Sequence, residues 1–95
     1  MRVSQGVSEK FLIKKAQPKY PKAAQKVGIQ GSVVLQIVID TNGEVRNLKP
    51  VLGDPTLTPA AADAVKQWKY KPYLVDGQRV EMETRVVIAF KLKTN

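Results

Sequence analysis

Apolar and polar positions alternate most regularly towards the end of the chain. Over residues 79–92, Val80, Met82, Thr84, Val86, Ile88, Phe90 and Leu92 share one parity, and Arg79, Glu81, Glu83, Arg85, Val87, Ala89 and Lys91 share the other. A period of two predicts a β-strand with one buried and one wet face. The run exceeds the roughly five or six residues of an ordinary strand. Part of it is therefore expected to overhang its partner and to expose unpaired N–H and C=O groups. The same period marks residues 32–39, with Val33, Leu35, Ile37 and Ile39 on one face and Val34, Gln36 and Val38 on the other. Asp40-Thr41-Asn42-Gly43 then signals a hairpin, because Asn-Gly accepts positive φ. The return strand, 44–52, changes phase between Val45 and Leu48, which predicts a bulge near Arg46 and Asn47. Pro50 cannot donate to a ladder and predicts a sheet edge there.

Helical spacing appears twice. Pro21 can open a short helix carrying Ala23, Ala24 and Val27, with Gly28 suited to the left-handed position past its end. Thr58 is a candidate N-cap and Pro59 a first helical residue. Leu57, Ala61, Ala64, Val65 and Trp68 would form one apolar face through Trp68, and Pro72 blocks continuation. Phe11, Leu12 and Ile13 suit a short strand or extended segment. Residues 1–10 read as a flexible polar lead-in and 11–95 as the folded domain. The expected fold is α+β: a three-stranded antiparallel sheet, with room for a short extra N-terminal strand, and two helices packed on one face in the order α-β-β-α-β. Val34, Val38, Val87 and Ala89 would line the uncovered face as an apolar stripe on which a homodimer could form.

Composition narrows the function more than the fold. The chain has 95 residues, 43% of them hydrophobic, which suits one domain with a modest core. No apolar run is long enough to cross a bilayer, and the first residues lack the apolar core of a signal peptide. There is no cysteine and no histidine, so disulfides, thiolate chemistry and the commonest general base and metal ligand are absent. Ser4, Ser8 and Ser32 have no histidine to activate them. Glu81 and Glu83 share a strand face, but Arg79 and Arg85 flank them, which reads as loose ion pairing and not as an acid/base pair. No glycine-rich phosphate loop is present. No catalytic residue, cofactor or metal site is expected, and the chain does not read as an enzyme.

The balance of 16 Lys+Arg against 8 Asp+Glu gives a formal net charge of +8 and favours acidic partners. Lysines gather at Lys14, Lys15, Lys19, Lys22 and Lys26, and again at Lys66, Lys69, Lys71, Lys91 and Lys93, with Tyr20, Tyr70 and Tyr73 among them. A basic single-stranded nucleic-acid-binding module is the alternative function on these grounds. The tyrosines do not follow the strand pattern of RNA-recognition aromatics, and dispersed solvated charge is the simpler reading of the lysines. Acceptance of a peptide by the last strand is the other function that the pattern suggests.

Several stretches, taken in order, resemble the TonB C-terminal domain family. Gln17-Pro18-Lys19-Tyr20-Pro21-Lys22-Ala23-Ala24 and Gly28-Ile29-Gln30-Gly31-Ser32-Val33 are similar to its opening. The hairpin from Asp40 to Val45 resembles its Asp-x-x-Gly-x-Val turn. Residues 64–72 resemble its Trp-basic-aromatic-x-Pro helix end, and residues 86–92 its closing strand. The likeness spans about 11–92, and its ordered set of spacings is more specific than any one piece. It implies a periplasmic domain of the Gram-negative envelope, anchored to the inner membrane in the full-length protein through a helix and a proline-rich linker that this chain does not contain. It implies coupling of the proton-motive force, through ExbB and ExbD, to outer-membrane transporters. The implied contact is a transporter's TonB box, adding as a strand along Arg85, Val86, Val87, Ile88, Ala89, Phe90 and Lys91. Gln17 matches a glutamine, just before the Tyr-Pro turn, that lies near the box in the family's best-known member.

Overall fold

The computed structural model describes residues 1–92; Lys93, one of the clustered lysines, lies outside the described residues. In chain order the elements are α1 (Gln5–Glu9), β1 (Leu12–Lys14), α2 (Lys22–Val27), β2 (Gly31–Ile39), β3 (Val45–Leu52), α3 (Thr58–Val65), β4 (Lys69–Tyr70), β5 (Tyr73–Val75), β6 (Gln78–Val80) and β7 (Met82–Phe90). The fold is α+β. Its main sheet is antiparallel with strand order β3-β2-β7, and two small two-stranded sheets, β1-β4 and β5-β6, complete it.

β2 is the strand that the rest packs around. Val33, Leu35, Ile37 and Ile39 are fully buried on its inner face, as the alternation predicts. β7 supplies Met82, Thr84, Val86, Ile88 and Phe90 to the same face. Ala24 of α2 and Ala61 and Val65 of α3 close over them. Each fully buried Val, Leu, Ile, Met or Phe side chain contributes roughly 1.5–3 kcal/mol by leaving water, and each alanine less. Trp68 and Tyr70 fill the end of this core.

The β2–β3 hairpin has the predicted irregularity: Val38 pairs with Asn47 and Ile39 with Val45, so Arg46 is the extra residue of a bulge. A second register shift skips Val51, next to Pro50, and β3 lies at the sheet edge as that proline requires. Asp40 organises the turn, its Oδ1 accepting from the N–H groups of Asn42 and Glu44 at 2.9 and 3.0 Å. Among the described turn residues the positive φ falls on Gly43 alone, at 82°.

Four expectations are corrected. The alternating run 79–92 is two strands, β6 and β7, with Glu81 between them; β6 turns back on β5 through Asp76 and Gly77, both at positive φ. β7 does not overhang, since β2 pairs with it from Met82 through Phe90. α3 is capped at Leu57 without a side-chain bond and ends at Val65, so Trp68 lies beyond it in a tighter turn, its N–H on the Val65 carbonyl. Residues 5–9, expected to be loose, form α1. Ser4 Oγ accepts from the Val7 N–H at 3.2 Å, and the buried hydroxyls of Ser8 and Thr84 meet at 3.3 Å. Short-range bonds and the Ser8–Thr84 tertiary bond hold a segment with little apolar surface of its own.

Candidate functional site

The site follows from which way the backbone of β7 points. In an antiparallel pair, residues alternate between directing both main-chain groups at the partner and directing both away. Glu83 directs both away from β2: its N–H donates to the Met1 carbonyl at 2.6 Å, and its carbonyl accepts from the Val3 N–H at 2.9 Å. The β2–β7 register has no shift, pairing Gln36 with Arg85, Val34 with Val87 and Ser32 with Ala89. Arg85, Val87 and Ala89 therefore also direct their N–H and C=O groups outward. The opposite parity faces β2, and it continues past the strand, where the Leu92 N–H donates to Gln30 Oε1 at 2.8 Å. Among the described residues no main-chain hydrogen bond engages Arg85, Val87 or Ala89 on the outward side.

The predicted contact residues thus divide into two sets. Val86, Ile88 and Phe90 are buried and belong to the domain's own core. They hold β7 in place and are not available to a partner. Arg85, Val87, Ala89 and Lys91 are exposed, Val87 by 46%. Gln17 is not brought against β7. It lines a groove with Pro18, Lys19, Pro21 and the α3 residues Ala60, Asp63 and Ala64. Its link to the strand is indirect. Tyr20 stacks edge-on against Phe90, with ring centroids 5.4 Å apart, and donates its hydroxyl to the Ile29 carbonyl.

On the uncovered face, Val34 and Val38 are half-buried beside exposed Val87 and Ala89. A polar group interrupts this stripe: Gln36 donates to Glu83, and Arg2 lies 3.5 Å from the same carboxylate. Glu81 pairs with Arg46 at 2.9 Å. The two glutamates thus take Arg2 and Arg46 as partners in place of the expected Arg79 and Arg85. The tyrosines are packed: Tyr70 is buried, Tyr73 stacks on Phe11 at 5.2 Å, and Tyr20 is held as above. Each ring is thus engaged within the domain, although Tyr20 and Tyr73 stay half-buried, which argues against the aromatic half of the nucleic-acid reading.

What the geometry defines is a small α+β domain with an edge strand, secured on one side by β2 and carrying outward main-chain groups on the other. The profile of the family described as Gram-negative bacterial TonB protein C-terminal matches residues 16–92, and the chain belongs to that family. Protein TonB of Vibrio cholerae is 36% identical over 100 residues, covering 95% of this chain and 41% of its own length. Protein TonB of Xanthomonas campestris is 39% identical over 77 residues, covering 79% and 34%. The chain therefore spans less than half the length of these curated relatives. The solution structure of the Pseudomonas aeruginosa TonB C-terminal domain superposes with a TM-score of 0.74 at 22% identity, covering 88% of this chain and 87% of that one. The TonB2 protein of Vibrio anguillarum superposes at 0.63 with 36% identity, covering 82% and 76%.

Proposed function

We propose that this domain binds the TonB box of an outer-membrane transporter by β-strand addition along residues 85–91, on the side of β7 away from β2. The observation that carries the reading is the run of outward main-chain groups at Arg85, Val87 and Ala89. In this reading the domain is the periplasmic end of an energy transducer that is anchored in the inner membrane. ExbB and ExbD act on a part of the longer protein that lies outside this chain. Gln17 is assigned to segment residues that pass beyond the Phe90 end of the strand, because Tyr20, three residues on, packs against Phe90. No helix among the described residues is long and apolar enough to cross a membrane.

The energetics suit a transient grip. About five ladder bonds at ~0.5–1.5 kcal/mol each are set against an association cost of ~4–15 kcal/mol. The ladder alone binds weakly, and side-chain contacts with Arg85, Val87 and Lys91 must add to it. Under a pull parallel to the strand the same bonds share the load, and so resist it better than their equilibrium strength suggests.

The test separates main chain from side chain at one position. Val87→Pro deletes an outward N–H, whereas Val87→Thr keeps it. A chemical-shift titration with an acidic, β-prone peptide is expected to show binding about tenfold weaker for V87P and within about twofold of the parent for V87T. Equal affinities for parent and V87P would overturn strand addition.

A further inference from the structure

Part of the β7 edge is already occupied by the chain itself. The two hydrogen bonds between Glu83 and residues Met1 and Val3 make residues 1–3 a short strand, laid parallel to β7 with Arg2 opposite Glu83. After Val3 the chain turns away at Ser4, which caps α1, and the Ser8–Thr84 bond fastens α1 to the buried face of β7. Arg2 adds an exposed ion pair to Glu83. Val3 packs partly against the core. Where this strap leaves the edge, a cavity of about 330 Å³ opens, lined among others by Arg2, Gln5, Gln36 and Arg85.

We propose that residues 1–3 act as an intramolecular competitor strand. They fill the outward position at Glu83, stop an accepted segment at Arg85, and must lift before a longer segment can pair further. The proposal rests on the strand-addition reading. One side of a strand takes one partner at a time, so the Glu83 groups cannot serve the strap and an incoming chain together. The strap is also lightly held, by two ladder bonds at Glu83, an exposed bond from the Met1 amino group to the Glu81 carbonyl at 3.2 Å, a solvent-exposed ion pair and one half-buried valine. A segment held by so few contacts opens locally at little cost. A binding edge with a removable stop has two lengths, and the strap decides which is offered.

The experiment uses the whole chain and two peptides that share a five-residue Thr-Val-alternating core; one is that core alone and the other is extended to nine residues with glutamate at its end. Val3→Pro removes the N–H that reaches Glu83, and Ser8→Ala removes the tie to Thr84 without touching the strap's main chain. Both variants are expected to speed hydrogen exchange at the Glu83 amide. Both should raise the affinity for the nine-residue peptide about fivefold, the worth of roughly one ladder bond, and leave the five-residue peptide unchanged. An unaltered Glu83 amide, or equal effects on the two peptides, would overturn the strap while strand addition stands. Failure of both peptides to protect the Arg85, Val87 and Ala89 amides in any variant would overturn strand addition and the strap with it.

Discussion

At Tyr70 a single residue, through its main chain and its ring, joins three distant stretches. Its N–H donates to the Gly43 carbonyl at 2.8 Å, Leu12 pairs with it across β1 and β4, and its ring fills the end of the core. Burial, and secondarily the negative charge of Glu9, push its phenol up from 10.0 to about 12. The folded state therefore keeps the proton that the unfolded chain releases near pH 10. Below that pH the contribution is fully present, and it fades as pH rises towards about 12. A two-unit difference corresponds to about 3 kcal/mol at most. Urea unfolding from pH 9 to 11.5 is expected to show stability falling from about pH 10 in the parent, and a shallower fall in Tyr70→Phe. Parallel curves for the two proteins would remove Tyr70 as the cause.

The strands were legible because burial on one face imposes a period of two, and β2 obeys it from Ser32 to Ile39. The bulge at Arg46 and the edge position of β3 were legible for local reasons, a change of phase and a proline. Topology was not legible. β6 and β7 share one parity, so alternation alone cannot reveal that β6 turns back on β5. α1 gave no signal because Gln5-Gly6-Val7-Ser8-Glu9 has no apolar stripe, and its anchor, Thr84, lies at the other end of the chain. The candidate edge was found, but its geometry was misread as an overhang, and the strap was missed because main-chain pairing leaves little trace in side-chain sequence. Docking of the β2–β3 turn is a further tertiary feature that the Asn-Gly signal does not disclose. A Cβ on Gly43 would stand 1.8 Å from the Tyr70 carbonyl oxygen, at a φ of 82°. Gly43→Ala should therefore cost at least about 2 kcal/mol by combining backbone strain with a main-chain clash. A loss under about 1 kcal/mol in urea unfolding would mean that the turn moves freely off Tyr70.

The whole molecule adds a long-range term that no single contact carries. A net charge of +8 sits on a body measuring 50 × 23 × 18 Å, and Arg85 and Lys91 stand at the two ends of the proposed contact. The field acts before contact, on the approach of an acidic segment, whereas the ladder bonds act after it. Screening tightens from a Debye length of about 30 Å at 0.01 M salt to about 8 Å at 0.15 M. Raising salt over that range should slow association of an acidic peptide by about tenfold and alter its dissociation rate by less than about twofold. Stopped-flow measurements on parent and V87P proteins would separate the two contributions. Salt should change the on-rates of both alike, and the proline should change the off-rate. If salt acted mainly on dissociation, charge pairs within the complex would be holding the segment, and the main-chain edge of β7 would lose its place as the principal grip.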